Sequence, residues 1–479
     1  MNFDRRKFLR RSISSALGGV AAFSAFGNMQ LLAAAANANA NANANKGGIP
    51  NDYKALVCVF LEGGNDAVNT IVPHDTAHHA IYSASRPAVA LSQASVAALG
   101  LTPQALQGGL PGGPPSDGAS YGLHPSMPAL RTLFNTQRAA IIANVGTLIG
   151  PLTQAQYQAG VLPRPPQLFS HNDQSNFWQT SRPDDATANG WGGRIADLLY
   201  DNNPNQQLPM TISLSGQSLF QRGGAIDQYV MDPYGVETIS YLGQYQNELG
   251  TQTFNALMAD GVQAHMFERA YARATRRSIS TYEMLDDALT PLPTWTTPFP
   301  NNYVGQQLRQ VANLINVRGV AALNMRRQIF FVSARNYDTH SAQLPTHADI
   351  LATLSEALNA FYAATVQMGI ANEVTAFTAS DFGRTISTNQ TGTDHGWGGH
   401  HFVLGGAVRG GRFYGADALA GANQQSERRR LRSDHPDHRR RSLCRNARQL
   451  VRCPAERDRR HLPESRAVSE RESGVYGLG

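Results

Sequence analysis

The stretch between residues 380 and 401 concentrates side chains that could bind a metal or stabilise an anion. Carboxylates and imidazoles are ligands of divalent metals, and a guanidinium group pairs with oxyanions. Adjacent histidines at 400 and 401 cannot both easily bind one ion, so some of these imidazoles would instead hydrogen-bond to the backbone. The abundance of glycine here predicts a flexible loop that wraps a metal or ligand. The candidate residues are Asp381, Arg384, Asp394, His395, His400 and His401.

Two further motifs carry the same kinds of side chain. Asp338 and His340 stand two residues apart after an apolar run, so both could reach one cation. Asp66 follows Gly63-Gly64 at the end of another apolar run, where an acid can hold a metal beside the carboxyl end of a parallel strand. Each motif also has an ordinary alternative, because the acids can cap a turn or helix and His340 can be a surface residue.

Two hydroxyl groups are candidate nucleophiles. Ser170 precedes a predicted helix, where backbone N–H groups and the helix dipole would favour an anion. A simple N-capping role is the alternative for Ser170. Thr147, after the predicted strand Ala139–Val145, is the rival nucleophile.

Continuous apolar runs indicate the elements that must position these side chains. The predicted strands are Lys54–Leu61, Ala139–Val145, Met210–Leu214, Gln328–Ser333 and Glu373–Thr378. Apolar residues at helical spacing predict helices within Pro125–Phe134 and Ala348–Met368. Strands that alternate with helices predict an α/β fold with a mostly parallel sheet.

The first 50 residues indicate export. A twin-arginine pattern, Arg5-Arg6-Lys7, precedes a mildly apolar run, Ile13–Ala36, that is diluted by Gly and Ser. We expect residues 1–36 to be a twin-arginine signal peptide and the Ala/Asn-rich residues 37–50 to be a tether. An N-terminal membrane anchor is the alternative. The prediction is a periplasmic or secreted protein that the twin-arginine export machinery carries and that keeps no stable membrane span after processing.

The basic character of the chain comes from its C-terminal end. Residues 426–479 contain 15 Arg and 8 acidic residues. Because the whole chain has 41 basic and 35 acidic residues, the remaining body carries 26 and 27 of them and is not basic. The charge therefore gives no reason to expect a nucleic-acid partner for the body.

The same C-terminal segment does not look like the rest of the chain. It has Arg runs without periodicity, whereas a one-base shift of reading frame can encode a capped amphipathic helix and normal apolar content. The hypothesis is a frameshift near residues 420–432 that leaves residues 422–479 as a disordered tail. The folded domain would then be residues 51–421. A basic nucleic-acid arm is the alternative interpretation of the tail.

Together the motifs resemble a bacterial family of domains of unknown function, number 1501, whose members are commonly exported with twin-arginine signals. The resemblance runs from about Tyr53 to Gly415. It rests on VFLEGGNDAVNTIVP, LHPSMPAL, the Ser170-His171 segment, GWGGRIADLL, DTH, SDFGRT and GTDHGWGGHHFVLGGAVRGGRFYG. The family is placed in the alkaline-phosphatase and sulfatase superfamily, which implies a three-layer α/β sandwich with divalent metal at the carboxyl ends of strands.

The resemblance also implies roles for individual residues. Ser170 falls where the nucleophile is expected, and Arg384 would stabilise the oxyanion. The metal, which would be zinc, manganese or calcium, would be held by residues of the motifs above. These are Asp66, Asp338, His340, Asp381, Asp394, His395 and His401, with His395 or His401 supplying the last imidazole.

The chain departs from the superfamily pattern at several positions. Asp381 is followed by Phe382 rather than by histidine, and Asp338 and His340 are unusually close together, so one metal is easier to accommodate than two. The leading hypothesis is a metal-dependent hydrolase of phosphate or sulfate esters that acts on a small-molecule or polymeric substrate. The rival hypothesis is a non-catalytic periplasmic or cell-surface protein that keeps the fold and a structural metal.

Overall fold

The structure is a computed structural model that describes residues 53–108, 111–150, 152–235 and 249–415. The predicted signal peptide, tether and C-terminal tail lie outside the described residues. Within them the elements alternate as expected. The helices are α1 Ala67–Thr70, α2 Thr76–Ser85, α3 Gln93–Ala97, α4 Pro128–Asn135, α5 Gln154–Ala159, α6 His171–Thr180, α7 Trp191–Leu198, α8 Leu249–Met258, α9 Met266–Leu289, α10 Tyr303–Asn316 and α11 Gln343–Gln367.

Twelve strands are described, and the five that the sequence predicts are all among them. The strands are β1 Lys54–Leu61, β2 Ile71–Pro73, β3 Tyr121–Leu123, β4 Ala139–Val145, β5 Thr211–Ser213, β6 Tyr229–Val230, β7 Arg327–Ala334, β8 Val374–Ser380, β9 Gly383–Asn389, β10 Gly392–Gly396, β11 Gly399–Leu404 and β12 Phe413–Tyr414.

A central sheet of eight strands has the order β12-β4-β11-β8-β1-β7-β5-β6. Strand β1 is parallel to both of its neighbours, β7 and β8, whereas β11 is antiparallel to β4 and β8. Strand β12 is parallel to β4, and β5 is parallel to both β6 and β7, so five of the seven neighbouring pairs are parallel and the predicted mostly parallel sheet is confirmed. The expected loop over residues 392–401 is wrong, because these residues form β10 and the start of β11.

Both faces of the sheet are covered, which makes the fold a three-layer α/β sandwich as predicted. Successive residues of a strand point to opposite faces. Accordingly Val57 and Val59 of β1 pack into one apolar core, which also contains side chains of α4, α10 and α11. Cys58 and Phe60 pack into a second core with Trp178 of α6 and with side chains of α7. Among the described residues no helix is both long and apolar enough to cross a membrane.

Four histidines outside the candidate site are buried in this framework. Burial lowers the pKa of His124 and His400 to about 4 and the pKa of His347 and His401 to about 3. An unfolded histidine titrates near 6.5, so between these values the unfolded chain binds protons that the folded chain does not. The linkage gives stability that is present above about pH 6.5 and lost as the pH falls.

We therefore expect acid-labile folding. Below pH 6 each buried histidine should lower the free energy of unfolding by about 1 kcal/mol per pH unit. The urea midpoint of the full chain, measured between pH 7.5 and 5 with a chelator present, should fall steeply. His401→Gln should reduce that slope by about one proton, whereas His265→Gln, at an exposed position, should leave it unchanged. A flat profile above pH 5 would contradict the expectation.

Candidate metal centre

Three adjacent strands place the candidate site at one edge of the sheet. Because β8, β1 and β7 are parallel neighbours, their carboxyl ends meet. Gly63 follows β1, Asp338 follows β7 and Asp381 follows β8. The hairpin of β9 and β10 then returns over this edge and carries His395, which lies opposite Arg384 in the pairing.

The turn at Gly63 explains why this motif contains glycine. Its backbone has φ +118°, and a Cβ atom there would lie 2.4 Å from the backbone nitrogen of Asp338. The Gly63 N–H donates to Asp381 Oδ2 at 3.2 Å, and the Gly63 carbonyl accepts from Arg384 at 2.9 Å. Any larger residue would separate the acids that follow β7 and β8.

Three imidazoles converge on the carboxylate of Asp338. The Nε2 atoms of His340 and His395 each lie 3.1 Å from Asp338 Oδ1 and 2.9 Å from each other. The Nε2 atom of His171 lies 3.4 Å from Asp338 Oδ2. The ligand atoms of His171, Asp338 and His395 all lie within 4.8 Å of one another. We refer to Asp338, His171, His340 and His395 as the metal cluster.

The second nitrogen of each imidazole in the cluster lies near an oxygen acceptor. For His171 and His395, whose Nδ1 contacts are short, this arrangement favours the tautomer with hydrogen on Nδ1 and leaves the Nε2 lone pair directed at the cluster, as is usual around protein-bound metals. The Nδ1 contacts are His171 with Asp381 Oδ2 at 2.7 Å, His340 with Asp394 Oδ1 at 3.5 Å and His395 with the Phe169 carbonyl at 2.8 Å.

The arrangement fits a bound cation. The Nε2 atoms of His340 and His395 and the Oδ1 atom of Asp338 lie 2.9–3.1 Å from one another, so a proton or a metal cation must lie between them. Ligand atoms about 2.0–2.1 Å from a tetrahedral metal lie about 3.3 Å apart, close to these separations. The side chains are between 19% and 44% exposed, so solvent or a ligand reaches the cluster.

The charges around the cluster shift its protonation in two directions. The hydrogen bond to Asp381 raises the pKa of His171. Burial lowers the pKa of His395. Burial is also the largest single effect on Asp338 and would raise its pKa, but the hydrogen bond and charge of Arg384, together with His340 and His395, lower that pKa overall. Phe382 packs on the rings of His171 and His395, with centroids at 4.8 and 4.4 Å, so the phenylalanine after Asp381 supports two imidazoles from the side.

Arg384 does not have the exposed position that an oxyanion-stabilising residue requires. Its side chain is 0% exposed. It donates to Thr393 through Nε and Nη2, and through Nη1 to the Gly63 carbonyl and to Asp338 Oδ1 at 3.0 Å. Since nearly all of its donors are occupied, Arg384 positions Asp338 and the turn after β1. The predicted contact with substrate is thus not supported by its placement.

Asp66 also lies outside the metal cluster. Its side chain is fully buried and accepts hydrogen bonds from Arg86 and Gln343. It caps α1 by accepting from the Asn69 N–H at 3.2 Å. The capping alternative therefore describes Asp66, and the buried guanidinium of Arg86 replaces the expected metal as its positive partner.

The contacts of Asp66 predict that its loss destabilises the fold. Asp66→Ala would leave Arg86 buried without its counter-ion, so the free energy of unfolding should fall by about 3–5 kcal/mol. Asp260→Ala, which removes the exposed partner of Arg276, should change it by less than about 1 kcal/mol. Urea unfolding measures both variants. Asp66→Asn is a milder change, and the fraction of this variant that remains folded should keep its full metal content. Loss of the metal without loss of stability would contradict the structural role of Asp66.

His401 is likewise far from a ligand role. It is buried in β11, its Nδ1 lies 3.5 Å from Thr378 Oγ1, and its ring packs against Trp178 at 4.9 Å. The neighbouring His400 accepts from the Asn144 N–H at 2.9 Å. Of the two alternatives for the last imidazole, the structure places only His395 in the cluster.

The two candidate nucleophiles have different surroundings. Ser170 caps α6, as predicted, although its Oγ is 3.5 Å from the Asp173 N–H that it accepts. It lies between Phe169, whose carbonyl contacts His395, and the cluster residue His171. Thr147 is buried, and its hydroxyl donates to Gln174 at 2.5 Å. Ser170 is therefore beside the cluster, whereas the hydroxyl of Thr147 is engaged in packing.

His171 is the cluster residue that the sequence motifs did not predict to be a ligand. Its partner Asp381 is 210 positions away in the chain, so no local spacing connects them. The available signal was its position directly after the cap of a predicted helix, in a segment already singled out for Ser170. Asp381 and Asp394, both predicted ligands, instead support the imidazoles from behind.

Comparison with known proteins gives one family and one distant structure. No curated protein matches. The C-terminal periplasmic domain of EcEptC from Escherichia coli, in complex with Zn, aligns over 84% of this chain and 83% of its own, with 11% identity and a TM-score of 0.31. The model of the family described as "Protein of unknown function (DUF1501)" matches residues 53–470, a span that includes most of the Arg-rich tail. The chain therefore belongs to the DUF1501 family.

Proposed function

We propose that this protein is an exported, metal-dependent hydrolase of phosphate or sulfate esters. One observation carries the proposal: three imidazole Nε2 atoms converge on Asp338 at a solvent-accessible edge of the sheet, and the Nδ1 atoms of His171 and His395 are held by oxygens at 2.7 and 2.8 Å. Such preorganisation is expected of a metal site. Because four protein ligands complete a tetrahedral zinc site, a water molecule or an ester oxygen would enter as a fifth ligand from the exposed side. The superfamily implied by the motifs uses metals at this edge for ester hydrolysis.

The residues that would hold the metal are His171, His340, His395 and Asp338. Three nitrogens and one carboxylate favour zinc, or manganese less strongly, over calcium, which prefers about six to eight oxygen ligands. When bound, a metal of this kind supplies Lewis acidity toward an ester oxygen and lowers the pKa of a coordinated water. We include no second metal, because Asp66 and His401 are engaged elsewhere.

The chain's own nucleophile in this proposal is Ser170. Its hydroxyl is only partly buried, and its one described hydrogen bond is long. As the N-cap of α6 it lies where backbone N–H groups and the helix dipole favour a developing negative charge. The residue after Ser170 is His171, and Asp381 holds its imidazole. Arg384 holds the carboxylate of Asp338, so this imidazole and this carboxylate are both fixed in orientation.

We further propose that the protein works in the periplasm or outside the cell after export by the twin-arginine route. The support is the Arg5-Arg6 pattern, which precedes the described residues. That route transports folded proteins, which suits a metal acquired before export.

The first test combines metal content with activity. The full chain should be purified, its zinc, manganese and calcium measured by mass spectrometry, and its hydrolysis of aryl phosphates and aryl sulfates assayed. About one equivalent of zinc or manganese together with metal-dependent hydrolysis would support the proposal. Folded protein without metal would overturn it.

The buried Arg384 gives the rival function a specific observation. Because its side chain is buried and nearly all of its donors are occupied by the protein, this guanidinium is poorly placed to stabilise a substrate anion. A non-catalytic protein with a structural metal would show stoichiometric metal, a large loss of thermal stability on chelation and no hydrolysis of either ester class.

A further inference from the structure

A cavity of about 190 Å³ lies beside the metal cluster. Its floor is formed by Phe60 and Phe331 of the neighbouring strands β1 and β7. Its walls contain three serines, two glutamines and the carboxylates of Glu62 and Asp381. Since liquid water occupies about 30 Å³ per molecule, the cavity holds the equivalent of about six waters and so suits a small group.

Asp381 connects the cavity to the metal cluster and has an oxygen to spare. The side chain is 5% exposed, and its Oδ2 contacts His171 Nδ1 and the Gly63 N–H. Its Oδ1 is buried and has no hydrogen-bond partner in the described part of the chain. A buried carboxylate oxygen without a donor is unfavourable, so the cavity calls for a ligand that donates a hydrogen bond there.

The walls offer further unused polar groups. Ser175 and Gln217 make no side-chain hydrogen bond among the described residues. Glu62 is 43% exposed and its ion pair with Arg335 is long, at 3.7 Å. Two carboxylates without a close guanidinium or ammonium partner disfavour a phosphate or sulfate in the cavity. The anionic part of a substrate would therefore not bind here.

We propose that this cavity binds a small, neutral, hydroxyl-rich group, namely the alcohol part of the ester whose phosphate or sulfate lies at the metal cluster. This inference rests on the proposed function. Hydroxyl groups donate to the carboxylates and accept from serine hydroxyls and glutamine amides. The aromatic floor fits the apolar C–H face of a polyol or sugar ring.

An amine-bearing group fits less well than a polyol. An ammonium group only donates hydrogen bonds, so it would satisfy Asp381 and Glu62 but leave the donors of Ser175 and Gln217 unmatched. A hydroxyl-rich group satisfies both sets. The cavity thus selects for hydroxyl groups rather than for positive charge.

The experiment measures binding apart from catalysis. Glycerol, methyl α-glucopyranoside, ethanolamine and inorganic phosphate are titrated separately into the metal-loaded full chain and followed by ligand-observed NMR. We expect millimolar binding of a neutral polyol. Ser175→Ala and Gln217→Ala should each weaken it about three- to tenfold. The matched control is Asn255→Ala, which should not weaken polyol binding. Asn255 is an exposed polar residue of α8 that lines a different cavity.

Three results would overturn the inference. They are tighter binding of ethanolamine than of either polyol, phosphate binding that Ser175→Ala weakens, and the absence of polyol binding. Metal content and ester hydrolysis, measured on the same preparation, keep the two proposals apart. Hydrolysis without polyol binding refutes only this inference, whereas polyol binding that depends on Ser175 without any hydrolysis supports the cavity assignment and counts against the hydrolase.

Discussion

Asp338→Asn is expected to release the metal from a protein that remains folded. Asp338 is the only acid whose carboxylate contacts all three imidazoles of the metal cluster, at 3.1–3.4 Å, among the described residues. The asparagine keeps the shape and an oxygen that accepts from Arg384, so the turn after β1 should stay in place. Without the charge, zinc affinity should fall by more than about 100-fold. Substituting a residue that only hydrogen-bonds to a metal ligand costs at most about that much.

Mass spectrometry after gel filtration gives the metal stoichiometry, and competition with a chelator gives the affinity. Asp394→Asn is the graded control, because Asp394 contacts His340 only through Nδ1 at 3.5 Å. It should weaken binding by about 10- to 100-fold and leave the site able to fill at saturating metal. Wild-type metal stoichiometry and affinity in Asp338→Asn would show that the metal cluster is not the metal-binding site.

The framework around this site was predictable because its signals are local. The continuous apolar runs of β1 and β4 match the observed strands residue for residue, since a strand buried on both faces must be apolar throughout. The short polar strands β9 and β10 were missed. Their Gly and His content suggested a loop, and only their pairing over the sheet edge makes them strands.

The candidate site was predictable by residue type but not by role. Acids after parallel strands do gather at one edge, yet Asp66 meets Arg86, 20 positions further on, and is neutralised there. His171 meets Asp381 across 210 positions. Which acid meets a cationic side chain and which remains open to a metal depends on these long-range contacts, and no spacing in the sequence encodes them.

Ser170→Asn is expected to abolish ester hydrolysis while leaving the fold and the metal intact. Asparagine caps a helix about as well as serine, so α6 and the adjacent His171 should keep their positions. The side chain no longer has a hydroxyl to attack the ester, and the turnover number should fall by at least about 1,000-fold. Steady-state kinetics on an aryl phosphate or sulfate, with metal content measured in parallel, checks this.

The matched control is Thr147→Val, which removes the rival hydroxyl. Because that hydroxyl donates to Gln174, the variant should lose about 1 kcal/mol of stability but keep its turnover number within about threefold. Ser170→Asn should therefore affect catalysis and not stability, whereas Thr147→Val should affect stability and not catalysis. If Ser170→Asn hydrolyses the ester at the normal rate while Asp338→Asn does not, the attacking group is a water molecule at the metal cluster. Ser170 then serves only as the N-cap of α6, through its 3.5 Å contact with the Asp173 N–H.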